Sequence, residues 1–208
     1  MDQKIIFATG NAGKMHEIRE ILGDTGMEIL SMKEAGIEAD ITEDGTTFEE
    51  NAVIKAKEVA RLLELSESPA HNDAIVMADD SGLEIDALNK EPGIYSARYM
   101  GEDTPFSVKS RSLIERLTDV PDEKRTARFV CAIAAVMPGG EVMTTHGTVE
   151  GRIDYEEKGD NGFGYDPIFY VPEYRCTMAQ LTDEQKNGIS HRGRALETMK
   201  EELRKRIT

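Results

Sequence analysis

The chain has 208 residues, of which 39% are hydrophobic and 31% charged, a size and balance that fit one globular domain with a substantial core. Twenty-five basic against forty acidic residues leave a net charge of −15, which repels both the phosphate backbone of nucleic acids and an anionic membrane surface. Nucleic acid and membrane are therefore not expected as partners, whereas a small anion remains possible where cations are focused in one place.

Residues 4 to 22 predict a short apolar strand, a Gly-containing turn ending in Lys14, and an amphipathic helix capped by Asn11 with Met15, Ile18, Ile21 and Leu22 on its apolar face. Such a turn can cradle phosphate. Gly10 and Gly13 let backbone N–H groups approach an anion, the helix N-terminus adds partial positive charge and Lys14 adds a full one. It is not a P-loop, because Ala8 stands where the first glycine belongs and Met15 where the magnesium-binding hydroxyl belongs. Taken alone, it also reads as an ordinary tight βα turn. A second helix starts near Thr46 and Thr47, where Thr47-Phe48-Glu49-Glu50 matches a capping box, and Ala52, Val53, Ala56, Val59, Ala60 and Leu63 form its apolar side. Residues 66–73, polar and containing Pro69, predict a loop.

Ala74 to Ala78 predict a buried strand that ends at Asp79-Asp80-Ser81-Gly82, with residues 83–88 either continuing the sheet or making a short return. Thr104-Pro105 predicts an N-cap followed by Pro at the first helical position, with Phe106, Leu113, Ile114 and Leu117 turned inward. Residues 127–137 and 141–149 predict a hairpin around Pro138-Gly139-Gly140. A Gly-rich loop follows at 159–166, then a capping box at Thr182-Asp183-Glu184-Gln185, then a last helix with Leu196, Met199 and Leu203 as its core stripe. With no repeat or linker, residues 1–208 read as a single mixed α/β domain around a central twisted sheet. Cys131 and Cys176 lack metal or redox spacing and read as buried, reduced thiols. No apolar run approaches the ~20 residues that span a bilayer, and Met-Asp-Gln-Lys leads straight into a strand too short for a signal-peptide core, so the cytoplasm is the expected location.

Two acidic residues directly after an apolar strand stand at its C-terminal edge, where α/β ligand sites gather. Neighbouring side chains on an extended chain point to opposite faces, so one of Asp79 and Asp80 meets a ligand and the other holds the turn. A hard-cation ligand, a general base and a simple Asx turn are all open at this point. Glu43, before the second helix, reads alone as a solvated loop residue; with Asp80 it would suffice for Mg²⁺, which takes one or two carboxylates besides phosphate oxygens and waters. The segment Gly162-Phe163-Gly164-Tyr165-Asp166-Pro167 offers two exposed aromatics that can stack on a nucleobase or pin the loop. Lys186 and Ser190-His191-Arg192-Gly193 bring cations and donors to a helix junction, where they can read a ligand or simply balance helix ends. There is no Gly-x-Ser-x-Gly elbow, no His-Glu-x-x-His and no credible cysteine nucleophile. Together these segments point to a nucleoside triphosphate site with metal-assisted attack by water.

The stretches Phe-Ala-Thr-Gly-Asn-Ala-Gly-Lys14, Ala-Asp-Asp-Ser-Gly-Leu83, Pro-Gly-Ile-Tyr-Ser-Ala-Arg98, Gly-Phe-Gly-Tyr-Asp-Pro-Ile-Phe169 and Ser-His-Arg-Gly193 resemble the signatures of the inosine triphosphate pyrophosphatase family, from residue 4 to the final helix. Asn187-Gly188 departs from the small, helix-compatible pair expected there. The resemblance implies an elongated α/β fold with two lobes flanking an active-site cleft, and a cytoplasmic homodimer. The implied reaction is Mg²⁺-dependent hydrolysis of ITP, dITP or XTP to monophosphate and pyrophosphate, which cleanses the nucleotide pool before incorporation into DNA or RNA. It also implies that Thr9, Gly10, Asn11, Ala12, Gly13 and Lys14 hold the phosphates, that Asp80 is metal ligand and general base with Glu43 as the other carboxylate, and that Lys55 and Ser81 contact substrate. Phe163, in the loop with Gly164 and Tyr165, would stack on the purine, with Asp166, Lys186, His191 and Arg192 round its edge. Arg192 only donates, so it can pair with the 6-oxo acceptor of hypoxanthine or xanthine but not with the adenine amino group. Two other readings remain: a related enzyme for modified pyrimidine or methylated triphosphates, and a nucleotide sensor that binds without turnover.

Overall fold

The computed structural model describes residues 3–65 and 73–207. Among them, seven strands form one sheet in the order β2-β1-β3-β4-β5-β6-β7: β1 (Lys4–Phe7), β2 (Glu28–Ser31), β3 (Ile75–Ile85), β4 (Thr126–Val136), β5 (Val142–Ile153), β6 (Phe169–Val171) and β7 (Cys176–Thr177). The sheet is mixed: β1 runs parallel to β2 and β3, whereas β6 is antiparallel to β5 and β7. The helices are α1 (Ala12–Leu22), α2 (Phe48–Leu65), α3 (Phe106–Arg116), α4 (Asp183–Ile189) and α5 (His191–Ile207). The chain divides into two compact units. The first comprises Met1–Asp80, Cys131–Gly147 and Arg192–Thr208; the second comprises Ser81–Val130 and Thr148–His191.

In the first unit, β1 lies between two parallel neighbours, and Ile5, Ile6 and Phe7 are all fully buried, as a strand covered on both faces requires. α1 packs Met15, Ile18, Ile21 and Leu22 into the same core, and the Asn11 side chain caps it by accepting from the Lys14 N–H at 3.0 Å. Leu196, Met199 and Leu203 of α5 are fully buried, as the stripe predicts. α5 is further tied to β5 by the Thr145 hydroxyl, which donates to the Ala195 carbonyl at 2.8 Å. α2 is capped by Thr47, whose hydroxyl accepts from the Glu50 N–H at 3.1 Å, while Glu50 reaches back one residue further than a capping box requires, to Thr46.

In the second unit, Leu83, Ile85, Leu113, Phe129, Ile153, Ile168, Phe169 and Met178 form the core. Arg125 is fully buried beside them and has its guanidinium spent on three carbonyls: Ile153 at 2.9 Å, Leu117 at 2.7 Å and Asp154 at 2.9 Å. The Thr182 and Gln185 capping box starts α4, which continues through Asn187 and Gly188 without a break.

Several expectations need correction. β3 does not stop at Asp79; it runs on to Ile85, so Asp79, Asp80 and Ser81 lie within a strand and no Asx turn forms there. The N-cap of α3 is Pro105, because the Thr104 hydroxyl donates instead to the Met100 carbonyl at 2.7 Å. Phe106 is 38% exposed, and Lys109 and Ser110 take the inward positions with Leu113. Cys131 is buried but Cys176 only partly so. The loop expected at 66–73 lies outside the described residues except for Asp73. The hairpin around Pro138-Gly139-Gly140 forms as expected, closed by the Met137 N–H donating to the Glu141 carbonyl at 2.8 Å.

Candidate active site

β2, β1 and β3 of the first unit run parallel, and ligand groups collect where such strands end. β1 ends at Phe7, and the chain is held against β3 for one more residue by the Ala8 N–H donating to the Met77 carbonyl at 2.7 Å. The following turn is stiffened by its own polar side chains: the Thr9 hydroxyl accepts from the Asn11 N–H at 3.1 Å, and Asn11 caps α1. Nothing lies within 4 Å of where a Gly10 side chain would stand, so the backbone there is open to an approaching anion. The turn, with Lys14, Lys33, Glu43, Lys55 and Asp79, lines a cavity of about 480 Å³.

Asp79 and Asp80 serve different cations, as alternation along a strand dictates. Asp79 is fully buried, with Lys14 Nζ at 3.0 Å and Arg192 Nη2 at 2.9 Å. Burial alone would raise its carboxyl, but Lys14, Arg192 and Lys55 outweigh it and hold the group ionised well below the usual carboxylate range. Arg192 Nη1 reaches a second buried acid, Glu17, at 2.5 Å. Arg192, the residue expected at the edge of a base, thus bridges two buried acids. Its guanidinium is 1% exposed and joined to two carboxylates of the first unit.

Asp80 faces α2. Asn51 Nδ2 donates to Asp80 Oδ2 at 3.1 Å, and Lys55 Nζ stands 3.6 Å from Asp80 Oδ1 and 3.1 Å from Glu43 Oε2. Burial raises the Asp80 carboxyl above its ordinary value, and Lys55 and Asn51 only partly offset that. Burial would lower the Lys55 ammonium, but Asp80, Asp79 and Glu43 together raise it, so it stays charged. Asn51 also fixes the loop that carries Glu43, accepting from the Gly45 N–H at 2.9 Å. A side chain at Gly45 would stand 2.6 Å from Asn51 Oδ1, so only glycine allows this close approach. The donor set suits a hard divalent cation: Glu43 and Asp80 already converge on one ammonium, and both offer carboxylate oxygen.

The second unit carries a different set. In the loop after β5, the Phe163 N–H donates to Asp166 Oδ2 at 2.8 Å, and Lys186 Nζ of α4 donates to the same oxygen at 2.7 Å. The Lys186 ammonium lies 4.8 Å from the centre of the half-buried Phe163 ring. Gly162 has φ +76°, and a side chain there would collide with the Asp166 carboxylate and come within 2.9 Å of Lys186 Nζ. Tyr165 is not the exposed aromatic that the motif suggested. It is 3% exposed, its hydroxyl donates to the Ser96 carbonyl at 2.9 Å, and Phe106 meets its ring edge-on at 5.1 Å. The His191 ring stacks on Phe129 at 4.9 Å, and Ser81 is half-buried in β3.

The structure thus brings together Thr9 to Lys14, Glu43, Lys55 and Asp80 in the first unit, and Phe163, Asp166 and Lys186 in the second. Sequence reasoning gave no role to Asn51 or Glu17. The available signal was a polar residue on an otherwise apolar helix face: Asn51 with Ala52, Ala56 and Val59 on α2, and Glu17 with Ile18, Ile21 and Leu22 on α1.

The chain is 51% identical over 202 residues to a protein of Clostridium perfringens named dITP/XTP pyrophosphatase, covering 97% of this chain and 98% of that one. It is 46% identical over 200 residues to a protein of the same name from Exiguobacterium sibiricum, covering 96% of each. Among solved structures it resembles the Ham1 protein of Staphylococcus aureus, with TM-score 0.83 and 41% identity over 98% of this chain and 99% of that one. It also resembles a HAM1 protein from Coxiella burnetii, with TM-score 0.84 and 39% identity over 99% of this chain and 100% of that one. Residues 5–202 match the Ham1 family, and the chain belongs to that family.

Proposed function

We propose that this protein hydrolyses non-standard purine nucleoside triphosphates, dITP, XTP and ITP, to the monophosphate and pyrophosphate. The observation that carries the reading is the convergence of Asp80 and Glu43 on Lys55, in the unit that also holds Lys14 and an open backbone turn. The names of the relatives in Clostridium and Exiguobacterium support the same chemistry.

The phosphates are bound by the backbone from Thr9 to Gly13, by the N-terminus of α1 and by Lys14 and Lys55. Glu43 and Asp80 would hold Mg²⁺, whose charge neutralises phosphate oxygens when it is bound. Asp80 is fixed on one oxygen by Asn51 and is raised by burial, so it is placed to orient a water and accept its proton. The water oxygen bonds to the α-phosphorus, the α–β bridge breaks, and pyrophosphate leaves with the bonding pair. In the second unit, Phe163 is the stacking surface for the purine, and His191 keeps the binding role inferred from the family. Lys186, positioned by Asp166, shares the discriminating part expected of Arg192. It only donates, so it accepts a 6-oxo group and leaves an adenine amino group opposed by donors, at a cost of about 1–3 kcal/mol or roughly ten- to a hundredfold. A homodimer in the cytoplasm with a pool-cleansing role belongs to the same proposal and rests on the family resemblance; among the described residues no helix is long and apolar enough to cross a membrane.

Parallel assays of ITP, XTP, dITP, ATP, GTP and dTTP with Mg²⁺, with the nucleotide product identified, test this reading. Monophosphate and pyrophosphate from the first three, at least about a hundredfold faster than from the others, are expected. A preference for dTTP would support pyrimidine chemistry, and binding of ITP without turnover would make the protein a sensor.

A further inference from the structure

β1 and β2 end side by side, β1 passing into the phosphate turn and β2 into a turn that carries Lys33, while β3, paired with β1 up to Met77, continues through Asp79 and Asp80. Phe7 stands opposite Ser31 on one side and opposite Met77 on the other. Neighbouring strands lie about 4.8 Å apart, so the Lys33 turn sits roughly 10 Å across the sheet from the acidic pair, with the phosphate turn between them.

The Lys33 turn has a defined conformation. Glu34 Oε2 accepts from the Ser31 N–H and hydroxyl, each at 2.7 Å, and from Arg19 at 2.5 Å. The Ile37 N–H donates to the Met32 carbonyl at 2.8 Å, and the buried Ile37 side chain anchors the end of the turn. Lys33 lines the same cavity of about 480 Å³ as Thr9, Gly10, Lys14 and Lys55. Lys14 is already matched by Asp79, and Lys55 by Glu43 and Asp80. Lys33 is exposed and, among the described residues, makes no ion pair. It therefore supplies the cavity with a cation that is paired with no carboxylate among the described residues, in a protein whose net charge is −15.

On the pyrophosphohydrolase reading, a polyphosphate cleaved beside Asp80 would extend through this cavity, across the turn after β1 toward Lys33. We propose that Lys33 binds the terminal phosphate of the substrate and, after cleavage, the departing pyrophosphate, and so makes the site prefer a triphosphate to a diphosphate. This inference rests on the pyrophosphohydrolase reading above.

Magnesium pyrophosphate and inosine monophosphate are titrated calorimetrically into wild type, Lys33→Gln, Lys33→Arg and, as a control for net charge, Lys57→Gln on the exposed side of α2. KM and kcat for ITP and inosine diphosphate are measured alongside. Lys33→Gln is expected to weaken pyrophosphate binding about five- to tenfold, the size of one solvent-screened ammonium–phosphate contact, with inosine monophosphate unaffected. KM for ITP rises by a similar factor, more than kcat falls, while KM for the diphosphate stays put; Lys33→Arg restores wild-type values and Lys57→Gln leaves them unchanged. Equal pyrophosphate affinity in wild type and Lys33→Gln, or equal losses for pyrophosphate and monophosphate, overturns the proposal. Failure of the underlying reading has a different signature, in which wild type itself releases no pyrophosphate from ITP.

Discussion

Asn51 is fully buried on α2 and connects the two carboxylates of the first unit: Nδ2 holds Asp80, and Oδ1 holds the Gly45 N–H behind Glu43. Asn51→Ala removes both hydrogen bonds at once. Each group that loses a partner in a buried setting costs about 1–3 kcal/mol, so the variant is expected to lose about 2–6 kcal/mol of stability, seen as a lower urea midpoint with an unchanged slope. The effect on chemistry is separable. Asn51 is one of the groups that hold the Asp80 carboxyl down against burial, so its loss raises that carboxyl further, and the acid limb of the kcat/KM profile moves to higher pH. With one of its fixing contacts gone, Asp80 is also misplaced. A displacement on the order of 1 Å costs up to about a hundredfold, so kcat at neutral pH should drop about ten- to a hundredfold in the folded protein. A destabilised variant whose kcat and acid limb both match wild type would refute the reasoning.

The same arrangement makes further commitments. Burial raises Asp80 above its ordinary carboxyl value, so the ionised group opposes folding above that pH and ceases to matter once it is protonated in both folded and unfolded states. Asp80→Asn should therefore lose at least about a hundredfold in turnover yet resist urea at pH 7 at least as well as wild type, with the difference vanishing below about pH 4; normal turnover would remove Asp80 from its role. Arg125→Lys keeps the charge but cannot serve three carbonyls with a planar fork, and should cost about 3 kcal/mol in urea unfolding while ITP turnover per folded molecule is unchanged; a loss below about 1 kcal/mol would show the fork to be dispensable. Burial pushes the Cys131 thiol up to about 12, and Cys176 is partly exposed, so a thiol reagent at pH 8 should titrate one cysteine in the native protein and two in denaturant; two reactive thiols in the native state would place Cys131 wrongly.

Local chemistry explains which parts were legible in the sequence. Asn11 caps α1, Thr182 and Gln185 cap α4, and Leu196, Met199 and Leu203 line α5 because each signal lies within one helical turn or one face. The run Asp79-Asp80-Ser81-Gly82 misled for the opposite reason. Its composition favours a turn, but its charges are matched by Lys14, Asn51, Lys55 and Arg192, which arrive from elsewhere in the chain and allow the strand to continue. Arg192 and Arg125 were similarly opaque, since a fully buried guanidinium is defined by carboxylates and carbonyls that no local window contains. Tyr165 sits in a loop sequence indistinguishable from that of Phe163, yet the Ser96 carbonyl and the Phe106 ring bury it while Phe163 stays half-open.

The most direct test of the central claim is hydrolysis of ITP with Mg²⁺ in ¹⁸O-labelled water, with both products analysed by mass. Attack directed by Asp80 at the α-phosphorus places one labelled oxygen in inosine monophosphate and none in pyrophosphate. Label in pyrophosphate, or release of inosine diphosphate and labelled phosphate, would contradict it.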